Sequence, residues 1–121
     1  MLEFAPMTRE SMHCERLTGS RPGTVTLRLT GPLEMETVPS FLKVVRAENS
    51  PAVILDLTAV SYLDSAGVGA LVQMLVGIQK SKRKMALVNP NGRVRAVLEV
   101  TRVETQFLIA PTVEEAEAKL G

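Results

Sequence analysis

Aromatic residues are nearly missing from this chain of 121 residues: there is no Trp, one Tyr and three Phe. That leaves no stacking platform of the kind single-strand nucleic-acid binders use. Charge of one sign is missing too, because fourteen basic residues against thirteen acidic give a net +1. Such a balance is no electrostatic footprint for nucleic acid or for an anionic membrane. A single cysteine, Cys14, excludes an internal disulfide framework and a Cys-based zinc site, and fits a reducing cytosol. With His13 as the one histidine there is no helical His pair for zinc. The longest mostly apolar stretch, Val68 to Ile78, is far short of the ~20 residues that span a bilayer. The opening MLEFAPMTRESM has no apolar run fit for a signal peptide, so a cytoplasmic location without membrane insertion is expected.

What is present is organised around residues 53–79. Val53, Ile54, Leu55 and Leu57, interrupted only by Asp56, read as a strand covered on both faces, as in a parallel sheet. A short polar loop then leads to a helix opening on Asp64-Ser65-Ala66-Gly67. Val68, Leu71, Val72, Leu75 and Val76 fall at helical spacing and predict its buried face. Ligand and partner sites of open α/β sheets gather at the carboxyl ends of strands, and a helix start there offers free N–H groups, so function is expected at this junction.

One domain is expected over residues 11–121, with residues 1–10 a loose lead-in. Ser11 to Leu17 and Thr24 to Thr30, joined by the turn composition Thr18-Gly19-Ser20-Arg21-Pro22-Gly23, predict an antiparallel hairpin. Gly31-Pro32 is expected to stop its second strand. Thr37-Val38-Pro39 starts a helix with Val38, Phe41, Leu42 and Val45 on one face, and Asn49-Ser50-Pro51 ends it. Beyond the central helix, Lys80, Lys82, Arg83 and Lys84 read as solvated cations that complement its dipole. Met85 to Val88 predicts a strand. Asn89-Pro90-Asn91-Gly92 predicts a turn capping a helix from Arg93, with Val94, Val97 and Leu98 inward. Thr105 to Ile109 predicts a last strand. Thr112 with Glu115 has capping-box spacing, so Thr112 to Leu120 predicts a closing helix with Val113, Ala116 and Leu120 inward. The order ββαβαβαβα means an α/β domain with a mixed sheet. Leu55, Leu57, Leu71, Val72, Leu75, Leu87 and Leu98 are the expected core.

Catalytic machinery is hard to assemble from these residues. His13 and Cys14 are adjacent on a strand and point to opposite faces, so they make no local nucleophile and base pair. Gly67-Val68-Gly69 fails a dinucleotide fingerprint at Val72, and no phosphate-binding P-loop occurs. Gly67 and Gly69 read instead as small residues that let a strand or another protein approach the helix start. On spacing alone Asp64-Ser65 is a helix N-cap.

Leu55-Asp56-Leu57, Val60 and Leu63-Asp64-Ser65-Ala66-Gly67-Val68-Gly69 resemble the central signature of STAS domains, specifically those of bacterial anti-sigma factor antagonists. Arg28 to Glu34 with Thr37 is similar to that family's second strand and following loop. Val94-Arg95, Leu98-Glu99-Val100 and Thr112 to Ala116 follow its last two helices, so the likeness spans Val25 to Leu120. Glu34 stands where the family usually has Asp, Met74 where some relatives carry a basic residue, and Arg102-Val103 replaces a usual Gly-Leu. The resemblance implies that Ser65 is a phosphoacceptor and that Glu34, Thr37, Asp64, Ser65, Ala66, Gly67, Val68 and Gly69 form a partner-binding face. It implies a non-enzymatic protein, without cofactor or metal, acting as a monomer or weak homodimer. Its partner would be an ATP-bound serine-kinase anti-sigma factor, bound when Ser65 is unphosphorylated and released on phosphorylation, with a separate phosphatase resetting the switch. The alternative is a STAS scaffold subunit of a stressosome-like signalling assembly or a membrane-transport complex. An enzyme or nucleotide-binding protein built on the Ser65 loop ranks last, for want of a phosphate loop or an acid/base pair.

Overall fold

Period-2 apolar runs alternate here with period-3.6 runs, and the computed structural model, which describes residues 11–18 and 21–121, turns that alternation into a layered sheet. The elements are β1 (His13–Thr18), β2 (Thr24–Leu33), α1 (Val38–Ala47), β3 (Ala52–Leu63), α2 (Ser65–Lys80) and β4 (Lys84–Val88). They continue as α3 (Gly92–Val100), a 3-10 turn (Glu104–Gln106), β5 (Ile109–Ala110) and α4 (Val113–Leu120). The expected order ββαβαβαβα is thus observed. The lead-in expected at residues 1–10, and Gly19 and Ser20 of the first turn, lie outside the described residues.

The sheet runs β1-β2-β3-β4-β5, antiparallel between β1 and β2 and parallel thereafter. Three successive crossovers step the same way along the sheet, and right-handed connections then put α1, α2 and α3 on one face. There Val53, Leu55, Leu57 and Leu87 share a core with Phe41, Leu71, Leu75, Val94 and Leu98. The opposite pleat, Ile54, Ala86, Val88 and Ala110, packs on Ala116 of α4. Central β3 is therefore covered on both faces, as its apolar run requires.

Several expectations are corrected. Gly31-Pro32 does not stop β2: Gly31 pairs with Val60, and Pro32 falls in a register shift between Gly31 and Leu33 that follows an earlier one between Arg28 and Thr30. Bulges are where a sheet tolerates proline, and Gly31 takes φ +98, with the Ser11 carbonyl oxygen 2.6 Å from where a Cβ would sit. The polar loop expected before α2 is strand as well: Ala59, Val60 and Leu63 pair with Thr30, Gly31 and Leu33. Two bulges space the buried Leu57, Val60 and Leu63 three apart, which hides the strand from a period-2 reading.

The buried face of α2 is Val68, Leu71, Met74, Leu75 and Ile78, with Val72 only half-buried and Val76 43% exposed. Apolar residues nearly encircle this helix, so spacing alone cannot choose the stripe that α1 and the sheet cover. Met74, where some relatives carry a basic residue, is core here. Of Thr105 to Ile109 only Ile109 is strand. Phe107 is buried in the core and Ile109 packs against it, while Glu104–Gln106 turns and β5 is reduced to Ile109–Ala110. The basic run is not all solvated either. Arg83 donates from Nη1 to the carbonyls of Glu48 at 2.9 Å and Ser50 at 3.2 Å, and Lys84 Nζ donates to the Leu120 carbonyl at 3.1 Å.

Candidate functional site

β3 delivers the chain to the start of α2 at Asp64, whose extended backbone (φ −104, ψ −177) is that of an N-cap. Its carboxylate has two jobs. Oδ1 accepts from the Gly67 N–H at 2.8 Å, capping α2, and Oδ2 accepts from the Met35 N–H at 3.0 Å, holding the loop between β2 and α1 against the helix start. The Asp64 N–H donates to the Leu33 carbonyl at 3.3 Å, so one residue is tied both to the end of β2 and to the loop that follows it. Thr37 braces the loop from inside: its buried hydroxyl donates to the Pro32 carbonyl at 2.9 Å and accepts from the Glu34 N–H at 3.0 Å. Thr37 is the residue before α1, but its side chain caps the loop and not the helix.

Gly67 explains why the two segments can come so close. A Cβ there would collide with the Leu33 carbonyl oxygen and lie 2.7 Å from Leu63 Cδ1, whereas a Cβ on Gly69 would meet nothing within 4 Å. The two glycines differ in kind: strand β2 crosses one, and the other is open to solvent. Ser65, the first residue of α2, is exposed, and its hydroxyl makes no hydrogen bond with any described residue. The N–H groups of Ser65 and Ala66 also point out of the helix start, since the Gly67 and Val68 N–H groups are taken by Asp64 Oδ1 and the Asp64 carbonyl.

Of the residues expected at a partner face, Glu34, Asp64, Ser65, Ala66 and Gly69 reach the surface together. Thr37, Gly67 and Val68 are buried beneath them and shape the face from below. Met35, which the sequence reading missed, is 69% exposed on the loop that Asp64 fixes. An apolar residue between two glutamates in a turn was the signal available for it. Asp56, also in the quoted signature, is structural: nearly buried, it accepts from the Thr58 N–H and hydroxyl and faces Arg28 Nε at 3.5 Å, where β3 begins its irregular stretch. Asn91 caps α3 through the Val94 N–H and donates to the Val60 carbonyl at 2.7 Å, tying α3 to the same stretch.

His13 opens onto a shallow pocket of about 380 Å³ shared with Ser11, Thr30 and Ser61, and Ser65 is not among its lining residues. Cys14 lies half-buried on the other side of β1, and burial, then the charge of Glu48, pushes its thiol pKa up, away from a reactive thiolate. Among the described residues no group of three His, Cys, Asp or Glu side chains could hold a metal ion, and no helix is long and apolar enough to cross a membrane.

Comparison with known proteins agrees with this geometry. The model of a family described as STAS domain matches residues 17–116. An anti-sigma-B factor antagonist of Staphylococcus aureus is 26% identical over 78 residues, which cover 62% of this chain and 72% of that protein. A Thermotoga maritima structure, described as a candidate anti-sigma factor antagonist, aligns with a TM-score of 0.81 at 28% identity, covering 88% of this chain and 93% of its own. The anti-sigma factor antagonist SpoIIAA in its unphosphorylated form gives 0.71 at 23% identity over 89% of this chain and 96% of that one. The phosphorylated form of SpoIIAA, a Bacillus cell fate determinant, gives 0.65 at 21% over 90% and 100%. At those last identities the likeness is one of fold.

Proposed function

This chain belongs to the STAS domain family, and from that premise we propose that it is an anti-sigma factor antagonist switched by phosphorylation of Ser65. The observation that carries the reading is the state of Ser65: an exposed hydroxyl with no hydrogen-bond partner among the described residues, displayed on a helix start that hydrogen bonds of Asp64 tie to the neighbouring loop, which Thr37 braces. A second support is that SpoIIAA, similar in fold, exists in phosphorylated and unphosphorylated forms.

Unphosphorylated, the face made by Glu34, Met35, Asp64, Ser65, Ala66 and Gly69 binds a serine-kinase anti-sigma factor in the cytoplasm and keeps it from its sigma factor. The kinase transfers the γ-phosphoryl of ATP to Ser65: the Oγ–P bond forms, the bond to the β-phosphate oxygen breaks, and the hydroxyl proton passes to the kinase. The protein itself is a substrate and a binding partner, not an enzyme. Phosphoserine carries about −1.5 to −2 charges, and the first turn of a helix tolerates them well. The free N–H groups of Ser65 and Ala66 can receive phosphate oxygens without disturbing the Asp64 cap. The domain therefore stays folded while Asp64, Glu34 and the phosphate concentrate negative charge on the contact face. Repulsion and desolvation then eject the kinase. A phosphatase restores the binding form.

The test is incubation with ATP and each candidate serine kinase encoded in the same genome, followed by site-localising mass spectrometry. A single phosphate on Ser65 is expected. Phosphate on Ser61 or Tyr62 instead, or none with any candidate, overturns the proposal and leaves a constitutive scaffold role.

A further inference from the structure

The other end of α2 borders a groove that the Ser65 site does not use. Between the carboxyl-terminal halves of α1 and α2 runs a groove of about 320 Å³. Leu42, Val45, Met74 and Ile78 are among its lining residues and give it an apolar floor. On its rim Val76 is 43% exposed, and a Cβ on Gly77 would meet nothing within 4 Å, so the groove is open along α2. Arg46, Lys80 and Arg83 supply the charge of its lining, and among the described residues no carboxylate lines it. Arg83 is anchored to the Glu48 and Ser50 carbonyls, while Arg46 and Lys80 make no hydrogen bond or ion pair with any described residue.

We propose that this groove docks a partner protein's acidic amphipathic segment, which seats one or two bulky apolar side chains between α1 and α2 and places flanking carboxylates against Arg46 and Lys80. Size and charge select this occupant. A volume of about 320 Å³ is at the bottom of the range of small-molecule sites but suits one or two aliphatic side chains. A bare anion is disfavoured, because the groove lies at the carboxyl ends of two helices, where the backbone carries partial negative charge and only the side-chain heads are positive. Carboxylates at the rim with apolar side chains between them meet both conditions, as when an amphipathic helix lies in a groove. Ser65 and Lys80 are the two ends of α2, 16 residues in all. They are separated by about 22 Å at 1.5 Å per residue. Occupancy of the groove is therefore independent of the phosphorylation state, and the chain can remain attached to one partner while it releases another at Ser65.

The experiment titrates the isotope-labelled protein with two synthetic helical peptides of ~15 residues, long enough to hold a helix. One carries a leucine pair at i, i+4 flanked by Glu, and the other has Lys for every Glu; amide shifts are followed by NMR. The Glu peptide is expected to shift Val76, Gly77 and Lys80, with an affinity that falls as salt rises. Arg46→Glu with Lys80→Glu, both at exposed positions, is expected to weaken it about tenfold or more and to favour the Lys peptide. Ser65→Glu is expected to leave it unchanged. No shifts at ~2 mM peptide, shifts centred on Ser65, equal binding of the two peptides, or indifference to the charge reversal overturns the proposal.

Discussion

Replacing Gly67 by Ala puts a methyl carbon against the Leu33 carbonyl oxygen and 2.7 Å from Leu63 Cδ1. The Leu63 side chain can turn, but the carbonyl cannot. It belongs to strand β2 and accepts from the Asp64 N–H at 3.3 Å, so moving it breaks the junction between the loop and α2. Overpacking of this kind costs about 1–3 kcal/mol, and loss of the Asp64 bond adds about 1 kcal/mol. Alanine's better helix propensity offsets about 1 kcal/mol. The expected net loss is about 2 kcal/mol, which lowers Tm by roughly 6–12 °C for a domain of this size. Gly69→Ala, two residues on in the same helix, meets nothing within 4 Å and should gain about 0.5–1 kcal/mol. Urea unfolding followed by circular dichroism measures both, with an unchanged m value as the check that the unfolding reaction is the same. A Gly67→Ala protein as stable as the parent, or two substitutions that shift stability in the same direction, would refute the claim that β2 crosses α2 at Gly67.

Asp64→Ala removes the cap on the Gly67 N–H and the latch on the Met35 N–H together, and should cost about 2 kcal/mol by chemical unfolding, whereas Asp64→Asn keeps a carbonyl acceptor and should cost less. Acid should weaken the contact between β1 and the end of α1. The Arg16 guanidinium donates to Glu48 at 2.7 Å, Ser50 donates through its N–H and hydroxyl, and against the opposing effect of burial they hold the Glu48 pKa down to about 2. Because that is below the unfolded value of about 4.3, the contribution is full above roughly pH 5 and is lost as pH falls toward 2. Glu48→Gln should flatten this part of the stability profile measured against pH. Arg83→Ala, which abandons the Glu48 and Ser50 carbonyls, should cost about 1–2 kcal/mol, while exposed Lys82→Ala stays within about 0.5 kcal/mol in the same unfolding assay.

Element order and fold class were legible because apolar strand runs alternate with helix-spaced runs along the chain, and Gly, Pro or Asn punctuates most of the junctions. The closing cap was legible too: Thr112 Oγ1 accepts from the Glu115 N–H, as its spacing implied. What stayed hidden depended on tertiary contacts. The second half of β3 was invisible because two bulges destroy its alternation. The buried stripe of α2 was ambiguous because Val72 and Val76 are as apolar as Met74 and Ile78, and only the position of α1 decides between them. At the candidate site, Asp64 as a cap was legible from local spacing. Its second bond, to Met35 some 29 residues away in sequence, was not. Arg83 misled for the same reason: a cation past a helix end reads as solvated until the chain brings the Glu48 and Ser50 carbonyls to it.

The most direct test of the switch is the binding of three forms of the protein to the kinase that modifies it, measured by surface plasmon resonance with ATP present. Ser65→Ala should bind persistently and accept no phosphate. Ser65→Glu should fold normally yet bind about tenfold to a hundredfold more weakly than the unmodified protein, with most of the loss in faster dissociation. Equal affinity of the Ala and Glu variants for that kinase would contradict the account, because charge at Ser65 would then have no part in releasing the partner.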